Sequence, residues 1–221
     1  LACGLLFFLR IPPLTAAQRA ETGRPLSQIM AQPAFIAAVV SAVVGYATMS
    51  FLMTATPLAM QVCGFAFDPT ATVIQFHVLA MFLPSFVTGT LIDRFGVRSI
   101  IITGGVLNLA GILCGWSGIT WWNFWANLVL LGIGWNFMFI GGTTLLTRTY
   151  TVAERAKSQA ANDFLVFGGM AIASLFSGKV LYEFGWETVV LVAIPAVLVA
   201  ILVAPERSYR STPHRPCQSS P

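Results

Sequence analysis

Between Ser99 and Thr147 the chain carries no Asp, Glu, Lys or Arg, and the same is true from Pro69 to Ile92. A water-soluble fold needs charge spread over its surface, so stretches this long and this neutral belong in something other than water. Composition agrees. Charged residues make up 9% of the chain and hydrophobic ones 57%, with a mean hydropathy of +0.80, against about 25% charged in an average soluble domain. The charges that exist are gathered between apolar runs. The chain therefore reads as an all-α membrane protein whose surface is mostly lipid-facing. The net charge of +4 comes as Arg in twos and threes, with no basic face interleaved with aromatics, so no nucleic-acid partner is expected.

A spanning helix needs roughly 20 mainly apolar residues. The sequence predicts six: Ala34–Ala59, Thr70–Ile92, Ser99–Ser117, Asn123–Thr147, Asp163–Leu181 and Thr188–Ala204. The fifth alone holds charges, Asp163 at its start and Lys179 near its end. Leu1–Leu9 reads as the last turns of a preceding helix, residues 10–33 as a cytoplasmic loop, 34–204 as a six-transmembrane-helix half, and 205–221 as a cytoplasmic tail. "LACGLLFFLR" has neither the basic start nor the small-residue ending of a signal peptide, and the chain reads as a fragment of a longer protein.

Basic connections alternate with connections free of Lys and Arg. Arg10, Arg19 and Arg24 precede the first span; Arg94 and Arg98 follow the second; Arg148, Arg155 and Lys157 follow the fourth; Arg207, Arg210 and Arg215 follow the sixth. By the positive-inside rule these connections are cytoplasmic, and so is the C-terminus. Trp121, Trp122 and Trp125 then fall at the outer interface, where indole rings favour the headgroup level. Pro57, Pro84 and Pro195 lie inside spans, as membrane helices tolerate. Gly111 with Gly115, and Ala171 with Ser174 and Gly178, are small-residue patterns suited to close helix packing. Cys3, Cys63, Cys114 and Cys217 form no C-x-x-C. They read as isolated thiols, with a Cys63–Cys114 disulfide as the alternative. No cofactor or metal is called for.

"GTLIDRFGVRS" (Gly89–Ser99) is the connection after the second span. Its Asp93 stands near a helix C-terminus, where the dipole disfavours negative charge. The residue therefore calls for a cation or another helix's N-terminus. Gly89 would let a neighbouring backbone approach, and Gly96 would permit a tight turn. The pattern Gly89-x-Leu91-x-Asp93-Arg94-x-Gly96-x-Arg98 resembles the signature loop of the major facilitator superfamily, with Val97 where that family often has a basic residue. "ERAKSQAANDF" (Glu154–Phe164) is similar to the family's loop between its tenth and eleventh helices, and "RPLSQIMAQPAF" (Arg24–Phe35) to the lead into its seventh. The resemblance implies the C-terminal half of a twelve-helix transporter working by alternating access about a central site. It further implies a gating role for Gly89, Asp93, Arg94, Gly96 and Arg98. Partners would be a small solute, membrane lipid and the missing N-terminal half of the same chain, in the plasma membrane (the inner membrane of a bacterium).

Within the spans, Asp163 reads as a helix N-terminal charge favoured by the dipole. His77 either contributes to a proton or substrate path or is a neutral ring hydrogen-bonded between helices. Asn136, with Thr143 seven residues on, either lines a cavity or bonds another helix. Since the family's seventh and tenth helices tend to line the cavity, Tyr46, Trp135 and Asn136 are substrate-cavity candidates; His77, on the second span, joins them for its depth in the membrane and its titratable ring. Aromatics with one amide suit an amphipathic or aromatic solute. Secondary transport of a drug or metabolite, with or without proton coupling, is the expected function. The alternative is a multi-pass protein without transport, such as a receptor or intramembrane enzyme. An enzyme would need a convergent nucleophile and base or a metal cluster, which one His without a midspan carboxylate does not supply.

Overall fold

The computed structural model describes residues 23–204; Leu1–Leu9, Arg10, Arg19, the tail arginines, Cys3 and Cys217 lie outside them. The described residues are helical almost throughout: α1 (Leu26–Met30), α2 (Pro33–Val62), α3 (Phe67–Phe82), α4 (Ser85–Phe95), α5 (Val97–Trp116), α6 (Trp121–Leu146), α7 (Arg155–Val192) and α8 (Ile194–Val203). Hydrocarbon offers backbone N–H and C=O groups no water, so a helix, which bonds them internally, is the natural crossing element.

The second expected span, Thr70–Ile92, is broken. α3 and α4 meet at Pro84 with a bend of 42°, because the proline ring has no N–H to donate and clashes with the preceding turn. Pro57 leaves α2 continuous, and Pro195 sits in the first turn of α8, where its missing N–H costs nothing. The apolar stretch Val152–Val203 has 52 residues, about 78 Å if straight, far more than one bilayer. It reverses at Gly185, whose φ of 80° and ψ of 174° a side chain would oppose. Residues 155–184 run alongside α2: Ser177 Oγ donates to Phe51 O at 2.6 Å, and Thr54 Oγ1 meets Ser174 Oγ at 3.3 Å. Residues 186–203 return along α5. Trp186 Nε1 donates to Gly115 O at 2.8 Å, while Ala204 shares a core with Phe35 and Ile101 at the other end. Six passes result.

Two further reversals show their local chemistry. Gly96, at φ 84°, turns α4 into α5. Between α5 and α6 the Asn123 side chain accepts from Thr120 N at 3.1 Å and donates to Cys114 O and Ser117 Oγ at 3.0 and 2.9 Å. Trp121, Trp122 and Trp125 cluster at this end, and Trp121 Nε1 donates to Pro69 O at 3.1 Å. Cys63 and Cys114 are free thiols.

One core, with Phe51, Leu52, Phe124, Leu128, Trp186 and Val190, fills the tryptophan end; a second, with Ile29, Phe35, Ile92, Ile101 and Leu145, fills the opposite end. The α5–α6 contact is the tightest. A Cβ added at Gly104 would lie 2.7 Å from Gly134 O, and one at Gly111 would lie 2.9 Å from Asn127 O. The Gly111/Gly115 pattern thus serves close packing. In the other small-residue stripe Ser174 bonds Thr54, but Ala171 is exposed and a Cβ on Gly178 would meet nothing within 4 Å.

Gly104→Ala is expected to destabilise the protein by about 1–3 kcal/mol through overpacking, read as a lower melting midpoint in detergent. Gly178→Ala, with open space at its Cβ, is the control and should melt no lower than the parent, since Ala favours the helix over Gly. Equal midpoints for the two variants would refute the close α5–α6 approach.

Candidate functional site

Between the two cores, four helices bring aromatic and thioether side chains together. α2 contributes Tyr46, Met49 and Met53; α3, Met81 and Phe82; α6, Trp135 and Phe139; α7, Phe167. Trp135 and Phe139 stack with centroids 5.3 Å apart and planes 9° from parallel. Tyr46 meets Trp135, Phe139 and Phe167 edge-on at 5.3, 5.2 and 5.9 Å. Phe82 closes on Trp135 at 6.1 Å. The cluster is open on the side of Phe82 and Phe167, which are 59% and 50% exposed. Trp135 lies 14 residues into α6, about 21 Å along its axis, so the cluster sits at mid-length. Offset and edge-on ring arrangements are the favourable ones for aromatic quadrupoles, and exposed rings of this kind can take the face of a planar solute.

The other two cavity candidates are placed elsewhere. Asn136 faces the break between α3 and α4. Its Nδ2 donates to Met81 O at 2.7 Å and to Ser85 Oγ at 2.6 Å, and its Oδ1 accepts from Thr88 Oγ1 at 2.7 Å. The side chain is fully buried, and each of its polar atoms is engaged there. His77 is also fully buried; its ring Nδ1 donates to Leu128 O at 2.7 Å, tying α3 to α6, while Nε2 has no partner among the described residues. Thr143 bonds back to Phe139 O and Ile140 O of its own helix. Asp163 departs from its expected place. α7 begins at Arg155, so Asp163 lies beyond the first two turns, outside the reach of the N-terminal dipole. It is exposed and accepts from Asn162 Nδ2 at 3.1 Å. The polar run 155–162 hid this start, because it lowers hydropathy without preventing helix.

The charged turn lies at the end opposite the tryptophans. Asp93 and Arg94 are exposed on the last turn of α4, and Arg98 is half-buried on α5. Arg94 leans over the Phe95 ring, 5.3 Å from its centroid, and Arg98 Nε is buried without an acceptor among the described residues. Asp93 forms no ion pair among the described residues. Gly89 is exposed, and a Cβ there would meet nothing within 4 Å, so no backbone among the described residues approaches it.

The strongest polar cluster at that end lies nearby. Glu154, 1% exposed, accepts from Arg24 N, Nε and Nη2 at 2.7, 2.8 and 2.8 Å and from Thr151 N at 2.9 Å. Arg24 Nη2 also donates to Thr149 O at 3.0 Å, and Lys157 Nζ donates to Arg24 O. The segment before α2 is thereby fastened to the turn before α7. The Arg24 guanidinium and the backbone donors hold the Glu154 carboxyl well below the usual carboxylate range, and the bond to Glu154 raises Arg24 above its ordinary value.

The family model of the Major Facilitator Superfamily matches residues 67–216. The chain belongs to the major facilitator superfamily. It is half of that fold, a multi-pass membrane protein of a family of transporters rather than enzymes. It is 46% identical over 207 residues to the riboflavin transporter RfnT of Brucella anthropi, covering 93% of this chain and 52% of that protein. It is 36% identical to the MFS-type transporter YdeG of Bacillus subtilis, over 70% of this chain and 36% of that one. Similarity extends to the methyl viologen resistance protein SmvA of Salmonella typhimurium, 29% identical over 68% of this chain and 30% of that protein. The chain spans about half the length of the riboflavin transporter it matches.

In this major facilitator half, sequence reasoning missed Phe82, Phe139 and Phe167 as companions of Tyr46 and Trp135, the Ser85 and Thr88 partners of Asn136, and the Arg24–Glu154 clamp. Thr151-x-x-Glu154 carries the local signature of a helix start, but nothing local marks a partner 130 residues away.

Asn136→Ala should destabilise the protein by about 1–3 kcal/mol, because it strands the Met81 carbonyl. An unchanged melting midpoint would show that these bonds add no net stability. For Glu154 the sign follows from a depressed folded pKa. Its contribution is fully present above its ordinary value of 4.5 and is lost only as pH falls further, through the folded value. Glu154→Gln should therefore lower the midpoint at pH 7 and flatten the acid limb of the wild-type midpoint-versus-pH profile. Identical profiles for the two proteins would show that the clamp adds no stability.

Proposed function

We propose that this half belongs to a twelve-helix secondary transporter that moves a neutral, planar aromatic solute of the flavin type by alternating access. The observation that carries the reading is the mid-length aromatic cluster of Tyr46, Trp135, Phe139 and Phe167, open on one side and free of ionised groups. Stacking faces reward a flat ring system. Aromatic faces also attract cations, but the cluster contains no carboxylate to neutralise one held in a low-dielectric site. The 46% identity to a riboflavin transporter supports the same substrate class.

In this reading the basic connections face the cytoplasm and the tryptophan end faces outward, with the C-terminus inside. The unpartnered face of α4, with Gly89 and Asp93, meets the N-terminal half in one access state. There Asp93 finds the cation or helix N-terminus that the described residues do not supply. Arg94, Gly96 and Arg98 shape that latch, and lipid surrounds the remaining surface.

Uptake of riboflavin into vesicles carrying the full-length protein is the test. Saturable uptake is expected, with about a tenfold loss for Phe139→Ala, which removes one stacking face. Asp93→Asn should insert normally and carry less solute. Absence of saturable riboflavin flux by correctly inserted full-length protein would overturn the substrate reading, and saturable methyl viologen flux in its place would move the substrate class to cations.

A further inference from the structure

Within the aromatic cluster one polar group is both buried and unpartnered among the described residues. Trp135 is 5% exposed, and its indole Nε1–H is fully enclosed without an acceptor among the described residues. The rings around it belong to Tyr46, Phe82 and Phe139, and the nearby thioethers of Met49 and Met81 are weak acceptors at best. A phenylalanine would keep the stack on Phe139 without burying a donor. Burying an unsatisfied N–H carries a desolvation cost, and such a group in a native site calls for a reason. Outside the aromatic rings, the Asn136 amide is committed to α3 and α4 and Thr143 to its own helix, while His77 bonds Leu128 O through Nδ1 and its unpaired Nε2 is an acceptor rather than a donor.

We propose that Trp135 Nε1–H is the specificity-determining donor of the solute site. It binds an in-plane acceptor, a carbonyl oxygen or ring nitrogen, on the edge of the solute, while the surrounding rings take its π faces. The inference rests on the flavin reading above and adds the basis of selection. Aromatic faces accept any flat ring, whereas a buried donor rejects the one that leaves it unpaired. Solutes of the right outline but without an edge acceptor are therefore excluded at this residue.

The test uses tritiated riboflavin binding to the full-length transporter in detergent. Trp135→Phe keeps a ring and deletes the donor; Trp135→His keeps a ring N–H. The first should weaken riboflavin binding about tenfold, the effect of one net hydrogen bond, and the second should bind more tightly than the first. On the unaltered protein, independent of how either variant folds, lumichrome should compete with riboflavin and anthracene should not. Lumichrome has edge acceptors and no sugar chain; anthracene has the same three-ring outline and no acceptor. Trp135→Phe binding riboflavin as the parent does, Trp135→His no better than Trp135→Phe, or anthracene competing as well as lumichrome would each overturn the donor assignment while leaving the flavin reading standing. Failure of the unaltered protein to bind riboflavin at all would overturn both.

Discussion

In hydrocarbon an unpaired backbone carbonyl has no water to turn to, and much of this half-bundle is organised around that constraint. The second pass shows it most directly. Pro84 breaks the helical ladder, and the Met81 carbonyl left at the break is bonded by Asn136 from a neighbouring helix. The reversals between passes obey the same demand. Gly96 and Gly185 turn in conformations that other residues resist, and Asn123 ties the start of α6 to the Cys114 carbonyl in the last turn of α5. Close approach of α5 and α6 through Gly104, Gly111 and Gly134 follows from the absence of a hydrophobic drive between helices in lipid. There van der Waals contact and interhelical bonds must hold the bundle.

Much of this was legible in the sequence. Neutral runs bounded by clustered charges located the passes to within a few residues, because transfer of charge into lipid is so unfavourable that no other feature competes with it. Residues whose role depends on distant partners were less legible. Asn136 carried two readings until the break at Pro84 was seen beside it. Tyr46 and Trp135 were picked out by helix position, yet Phe82 and Phe167 were not, since on sequence alone a phenylalanine in a span is as suited to lipid as to a site. The start of α7 was misplaced because hydropathy marks what enters the membrane, not where the helix begins.

The two polar assemblies divide the labour. At one end Glu154 gathers Arg24 and Thr151 into a fixed joint between the segment before α2 and the turn before α7, and there the charges are matched within this half. A short distance along the same end, Asp93 has no ion pair among the described residues. Matched charge near a membrane surface stabilises one arrangement; unmatched charge leaves a half able to exchange partners. The aromatic cluster lies between the packed cores, where neither assembly reaches it.

Asn136 directly follows Trp135 in the chain. The amide that bridges the break between α3 and α4 and the indole at the centre of the aromatic cluster are thus carried by adjoining residues. A tilt of α4 about Pro84 would stretch the Asn136 bonds to Ser85 and Thr88, so the hinge of the broken pass is fastened one residue along the chain from the centre of the aromatic cluster.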